Sequence, residues 1–291
     1  RFPASEKWRA TTERCALLAI LLLAFALRVY RLGDQNIWWD EGFSVWAAWQ
    51  GLLQTTLTTA QDVHPPLYYW HLWGWIRLAG DGEFAGRFIS VAWGTLTVAL
   101  VYPLGRRLGG CRVGLLGALF LALARFHLWW SQEMRMYILA TLTATLTLYA
   151  AVRWLDEQRE KPTLSWLLGY VLGATASLYS LYVASLAPLV ANGYALLPLM
   201  RLPGWQRLQA VARWLAAQVA ELILLIPWLL VALPRIRTGS VAQPFAFRLF
   251  LHLYATLLTL GISTEITRYT PFLMPFGAVL LAGLATLGWR R

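Results

Sequence analysis

Apolar runs recur along the chain, separated by short polar joints that carry most of the arginines. The runs fall at 15–32, 84–104, about 113–130, 136–153, 163–179, 182–200 and 212–233, with a last one near 271–288. Most approach the ~20 residues that a helix needs to cross hydrocarbon. The stretch 67–79 is apolar and aromatic but has only 13 residues, and Pro65-Pro66 precedes it. It is too short to span and reads as a helix lying in the interface. Parity makes 248–261 a second interfacial helix. The pattern predicts an all-α, polytopic membrane helical bundle, one domain over 1–291, with about 8 crossings and interfacial helices in the first outer loop. No internal repeat or low-complexity tract interrupts it.

Composition strengthens this reading. The chain is 58% hydrophobic and only 13% charged, against about 25% charged in soluble domains. Its 17 Trp and 12 Tyr suit rings that favour the headgroup level. The net charge of +11 does not mark a nucleic-acid binder, because the arginines sit between apolar runs and not on one polar face. The clusters Arg106-Arg107-Arg112, 153–161, 201–213 and Arg290-Arg291 fall on one side of the membrane by alternation, together with Arg1, Lys7, Arg9 and Arg14. That side is the cytoplasmic one by the positive-inside rule, although Arg235 and Arg237 fall opposite. The expected protein is a multi-pass plasma (inner) membrane protein with a cytoplasmic N-terminus. The first run lacks a small-residue cleavage site and reads as an anchor. Cys15 and Cys111 are isolated, so neither a disulfide framework nor a zinc site is expected.

Candidate chemistry clusters in the outer loops. Six of the 14 acids, Asp34, Asp40, Glu41, Asp62, Asp81 and Glu83, lie in the first loop or at its edges. The second loop carries Ser131-Gln132-Glu133-Met134-Arg135-Met136-Tyr137, and the third Tyr179-Ser180-Leu181-Tyr182. Alternation puts all three on one face, and ionisable groups at membrane depth tend to line cavities. Asp40 reads either as the N-cap of a helix over 41–50 or as a general base. His64 either belongs to a turn before the interfacial helix or binds phosphate or a substrate hydroxyl. Glu83 and Arg87, four apart, form an intrahelical ion pair, or Arg87 binds a phosphate. Glu133 and Arg135 are two apart and address different partners. Trp38 and Trp39 read as interfacial anchors, and His71, His127 and His252 as packed residues. Glu221 is an acid within an apolar run. There is no Walker loop, no dinucleotide fingerprint and no HExxH.

Taken in order, WWDE, DVHPPLYYW, GEFAGRFIS, LGRRLGG, SQEMRMY, YSLY and Pro227-Trp228 resemble the GT-C class of polyprenyl-phosphate-sugar-dependent membrane glycosyltransferases. The nearest branch is that of protein O-mannosyltransferases and lipid A aminoarabinose transferases. The resemblance covers about 15–235. Family members usually continue further, so the C-terminal part is expected to be incomplete. The resemblance implies sugar transfer with inversion from a polyprenyl-phosphate sugar to an acceptor hydroxyl or phosphate at the extracytoplasmic face. The acceptor would be a lipid, glycan or protein. Asp40 would be the base, Glu41 would assist it, and Glu133 would be a second-loop acid. Arg87 and Arg135 would hold the leaving lipid phosphate. His64, Tyr68, Tyr137, Tyr179 and Tyr182 would line the substrate path. Relatives place a Lys at the His64 position in the aminoarabinose branch, and many have a His where Leu181 stands. No cofactor is required; Asp40, Glu41 and Glu133 could hold a divalent metal. The competing classes are a transporter or flippase of lipid-linked sugars and a structural membrane subunit, both disfavoured by the absent repeat and the loop-borne charges.

Overall fold

The protein is described here by a computed structural model, which covers residues 4–62, 64–159 and 163–235, together with Phe247. The sequence-predicted segments at 248–261 and 271–288 lie outside the described residues. Eleven α-helices follow one another among the described residues, with no strand: α1 (Ala4–Val29), α2 (Trp39–Trp49), α3 (Leu52–Ala60), α4 (Leu67–Ala79), α5 (Glu83–Gly109), α6 (Cys111–Leu123), α7 (Arg125–Trp130), α8 (Tyr137–Asp156), α9 (Leu164–Ser180), α10 (Leu186–Met200) and α11 (Gly204–Ala232). A 3-10 turn at Tyr182–Ser185 leads into α10. Four of these segments are long and apolar enough to cross a membrane: Glu83–Gly109, Tyr137–Asp156, Tyr182–Met200 and Gly204–Ala232. Their outward rows stay bare, as at Leu96, Leu189, Leu222 and Leu230. An exposed apolar belt of this extent is stable in lipid and not in water.

The short helix expected at 67–79 is present with those bounds as α4. It ends at Gly80, whose φ of 88° is open to glycine at little cost. Gly110, at φ 87°, makes the same kind of break between α5 and α6. The single span expected at 113–130 is instead two helices. Ala124 is extended (φ −62°, ψ 112°) and separates α6 from α7. Such a break leaves the last carbonyls of α6 without their helical donors. Buried Arg28, in the last turn of α1, fills the gap by donating to the carbonyls of Leu121 and Ala122, at 3.3 Å each.

Small residues set the helix spacing. A Cβ on Gly173 would lie 2.9 Å from Thr147 Oγ1, so α8 and α9 approach closely there. Cβ atoms on Gly86 and Gly94 would lie 2.3 Å from Met134 Sδ and from Ser131 Oγ respectively. These two glycines let the 131–136 segment lie flat on α5. Between α8, α9, α10 and α11, Trp154, Tyr170 and Trp214 stack in the main apolar core.

The 33–66 segment, the 131–136 segment and the third-loop tyrosines meet at one end of the bundle. Arg135 reaches Asp40, Trp38 reaches Glu133, and the Trp70 and Tyr179 rings lie 6.1 Å apart. The basic joints collect at the other end, where Arg106 pairs with Glu13 at 2.8 Å and Arg107 with Asp156 at 3.4 Å.

Candidate active site

Helix α2 positions the first two acids. Its amphipathic pattern is inverted: Trp39, Trp46 and Trp49 face out, while Glu41 and Ser44 are buried. That suits a helix whose outer face meets an apolar phase and whose inner face meets a polar protein end. The capping role considered for Asp40 is not what forms. α2 begins at Trp39, its N-cap Trp38 has extended backbone, and no side chain caps it. Asp40 lies in the first turn instead, where the helix dipole favours an anion.

Successive residues on a helix point about 100° apart, so Asp40 and Glu41 look in different directions. Glu41 is fully buried. Its Oε1 accepts from Arg87 Nε (2.9 Å) and from the Met134 backbone N–H (2.9 Å), and its Oε2 from Arg87 Nη2 (2.6 Å). Arg87 also donates to the carbonyls of Leu32 (3.0 Å), Gln35 (2.8 Å) and Asn36 (3.2 Å). All five guanidinium N–H groups are thereby committed. The expected Glu83–Arg87 pair is thus replaced by a long-range one. The forked match of guanidinium to carboxylate explains the choice. Arg87 ties the loop after α1, α2, α5 and the 131–136 segment together, which leaves it no donor for a lipid phosphate.

Asp40 faces outward, with 42% of its side chain exposed. It lines a groove of about 430 Å³ with Trp39, Phe43, Trp46, Thr58, Gln61, Asp62, His64 and Arg135. Arg135 Nη2 lies 3.6 Å from Asp40 Oδ2, and Nη1 donates to the Asp40 carbonyl at 3.1 Å. The Nη2 contact is beyond hydrogen-bond reach, so this guanidinium, unlike Arg87, is not saturated by its carboxylate. His64 Nδ1 sits 2.9 Å from Asp62 Oδ2, which fixes the ring and leaves Nε2 for a ligand. The groove continues over Trp39, Phe43 and Trp46 into an apolar trough walled also by Ile37, Trp38 and Gly42.

Glu133 is not in this groove. It is buried, accepts from Trp38 Nε1, and lines a different cavity beside Arg31, Gln35 and Arg87. Burial pushes its carboxyl up to about 7; the Trp38 bond opposes the rise and the nearby Glu41 charge adds to it.

The tyrosines divide. Tyr137 is half-buried, packs on Trp130 at 4.1 Å between ring centres, and lies 5.7 Å below the Arg135 guanidinium. It supports the groove through Arg135. Tyr68 is fully buried beside Tyr69 and Trp93; packing holds it out of ligand reach, contrary to the expected substrate contact. Tyr179 donates to the Leu224 carbonyl (2.9 Å), and Tyr182 accepts from Trp228 Nε1 (3.0 Å). Both lie outside the lining of the groove and clamp α11 against α9 and α3. The sequence reading did not single out Phe43, Trp46, Thr58 and Gln61, which do line the groove. Their signal was spacing: Phe43 and Trp46 are three and six residues beyond Asp40 on one helix. It also missed Arg28, which donates to Ser131 (3.2 Å) and, at 2.8 Å, pairs with His127 Nδ1. Among the described residues no group of three or more His, Cys, Asp or Glu is placed to hold a metal ion. Asp40 and Glu133, considered together from sequence for a divalent ion, open on different cavities.

The apolar helical bundle, with no strand among the described residues, has the GT-C type fold of membrane glycosyltransferases. Residues 63–231 match the family described as dolichyl-phosphate-mannose-protein mannosyltransferase, and the chain belongs to that family. The matched stretch starts after α2, so Asp40 and Glu41 are argued from geometry. Among solved structures, the chain is similar to the protein O-mannosyltransferase Pmt1-Pmt2 complex of S. cerevisiae bound to the sugar donor. The TM-score is 0.62 at 16% identity, covering 79% of this chain and 35% of that one. At that identity the likeness is one of fold, and the chain spans about a third of that relative's length. No curated protein matches the chain in sequence.

Proposed function

We propose that this chain transfers a sugar, with inversion, from a polyprenyl-phosphate donor to an acceptor hydroxyl. The reading rests on one observation: Asp40 is the exposed carboxylate of a groove that also holds Arg135, whose Nη2 stays 3.6 Å from it. Asp40 takes the acceptor proton as the acceptor oxygen attacks the anomeric carbon. The bond from that carbon to the lipid phosphate breaks, and the phosphate leaves as an anion. Arg135 neutralises that developing charge, and His64 Nε2 offers a second donor. Glu41 acts at one remove, by fixing α2 through Arg87. Glu133 likewise braces Trp38, the residue that leads into α2.

The end bearing the groove is assigned to the extracytoplasmic face, because Arg106, Arg107 and Arg153 gather at the opposite end. Family membership supports the donor class, and mannose is the sugar to try first. The decisive experiment is Asp40→Asn in membranes supplied with labelled polyprenyl-phosphate mannose. Transfer at the wild-type rate by a correctly folded variant would overturn the assignment of Asp40.

A further inference from the structure

The second cavity, of about 390 Å³, lies between the end of α1, α7 and the 131–135 segment, and its wall is amphipathic. Leu27, Leu128 and Trp129 form an apolar side; Arg31, Asp34, Gln35 and Glu133 form a polar one. Its size is in the range of small-ligand sites. The charge balance beneath it is incomplete. Glu41, Glu133 and Arg87 bring two carboxylates and one guanidinium together, and Arg87 is wholly committed to Glu41 and three carbonyls. Glu133 is 7% exposed, and no cationic side chain among the described residues pairs with it. A buried carboxylate in that position either keeps a proton or takes a cation from outside.

Arg31 stands at the edge of the same cavity. It is the one non-glycine residue with positive φ among the described residues, at 56°, a backbone state uncommon for such a residue. An observed outlier of this kind points toward a functional position. Its pair with Asp34, at 2.5 Å, is largely exposed, with 66% and 49% of the two side chains accessible. Such a pair adds little stability, so Arg31 can exchange Asp34 for another anion at small cost.

We propose that this cavity binds the headgroup of a primary-amine phospholipid. The ammonium sits on Glu133, the phosphate on Arg31, and the glycerol and first methylenes along Leu27, Leu128 and Trp129. An ammonium suits one carboxylate with a few neutral acceptors nearby. A hard divalent ion needs several oxygen ligands, and no metal-holding cluster is present among the described residues. A quaternary headgroup has no N–H to donate and forfeits the Glu133 bond.

The test is native mass spectrometry of the full chain in detergent, challenged with equal amounts of phosphatidylethanolamine, its N-methyl form and phosphatidylcholine of the same acyl chains. Retention of phosphatidylethanolamine over phosphatidylcholine by roughly tenfold or more is expected, from one hydrogen bond to a charged group. The N-methyl lipid, which keeps N–H groups, should be retained nearly as well as phosphatidylethanolamine. Glu133→Gln should remove most of the preference, and Arg31→Ala should weaken both lipids together. Equal retention of the two lipids by the wild-type chain overturns the proposal without any variant. Loss of the preference on adding millimolar Mg²⁺ also overturns it, because a metal ion would then be the occupant.

Discussion

Asp40 and Glu41 are consecutive carboxylates, each facing an arginine, yet the two pairs differ in almost every physical respect. Glu41–Arg87 is buried, forked and saturated: three N–H groups reach the carboxylate and five N–H groups leave the guanidinium. Asp40–Arg135 is half-open, and its ionic contact is 3.6 Å long, beyond hydrogen-bond reach. A saturated pair fixes structure because any new partner must displace an existing bond. An unsaturated pair beside a groove can accept a ligand. The comparison separates a scaffold from a reaction site where charge alone makes them look alike.

Breaking the buried pair should have the largest effect. Arg87→Ala leaves Glu41 buried and uncompensated and should cost about 3–5 kcal/mol, read as loss of folded protein by fluorescence-detected size exclusion. Replacing both partners with apolar residues should recover much of that stability, since a neutral apolar pair avoids the stranded charge. If Arg87→Ala proved as stable as the wild type, the scaffold role would fail.

Asp40→Asn tests the other side. Its thermal unfolding should stay within about 0.5 kcal/mol of the wild type, while transfer from labelled donor falls by about 10²–10⁴. A matched loss of stability would place Asp40 with the scaffold. Arg135→Lys keeps the charge but not the fork, and about a tenfold rise in donor KM is expected, with a larger rise for Arg135→Ala. An unchanged KM in both variants would move the phosphate elsewhere.

The smallest effect is a pH dependence. Glu133 titrates near 7 in the folded chain and near 4.3 when unfolded. Between those values the unfolded chain has already released a proton that the native chain keeps. Stability should therefore fall as pH rises through that window, by about 1–2 kcal/mol once screening at the cavity mouth is allowed for. Glu133→Gln should flatten that slope, and a slope unaltered by the substitution would remove Glu133 as its source.

Much of this arrangement is readable in the chain. Apolar run lengths give the helices, and alternation brings Asp40 and Arg135, 95 residues apart, to one end. The 67–79 helix emerges with its bounds because a proline pair and Gly80 delimit it. What the sequence conceals is sidedness. On α2 nothing in the spacing says which of two adjacent acids turns inward; Glu41 is buried, while Trp39, read as an interfacial anchor, is 88% exposed. The break at Ala124 was equally hidden, since its compensation comes from Arg28, far away in the chain. Arg87 has a local partner in Glu83 on paper. Only the packed loop shows that a forked carboxylate and three carbonyls outcompete it.

The facing of α2 also makes the order of its two acids matter, and not just their presence. Exchanging them, Asp40→Glu with Glu41→Asp, leaves composition, net charge and helix propensity almost untouched. It shortens by one methylene the arm that reaches Arg87 and the Met134 N–H, and lengthens by one the arm in the groove. The same two letters, transposed, should therefore loosen the scaffold and misplace the base in a single step.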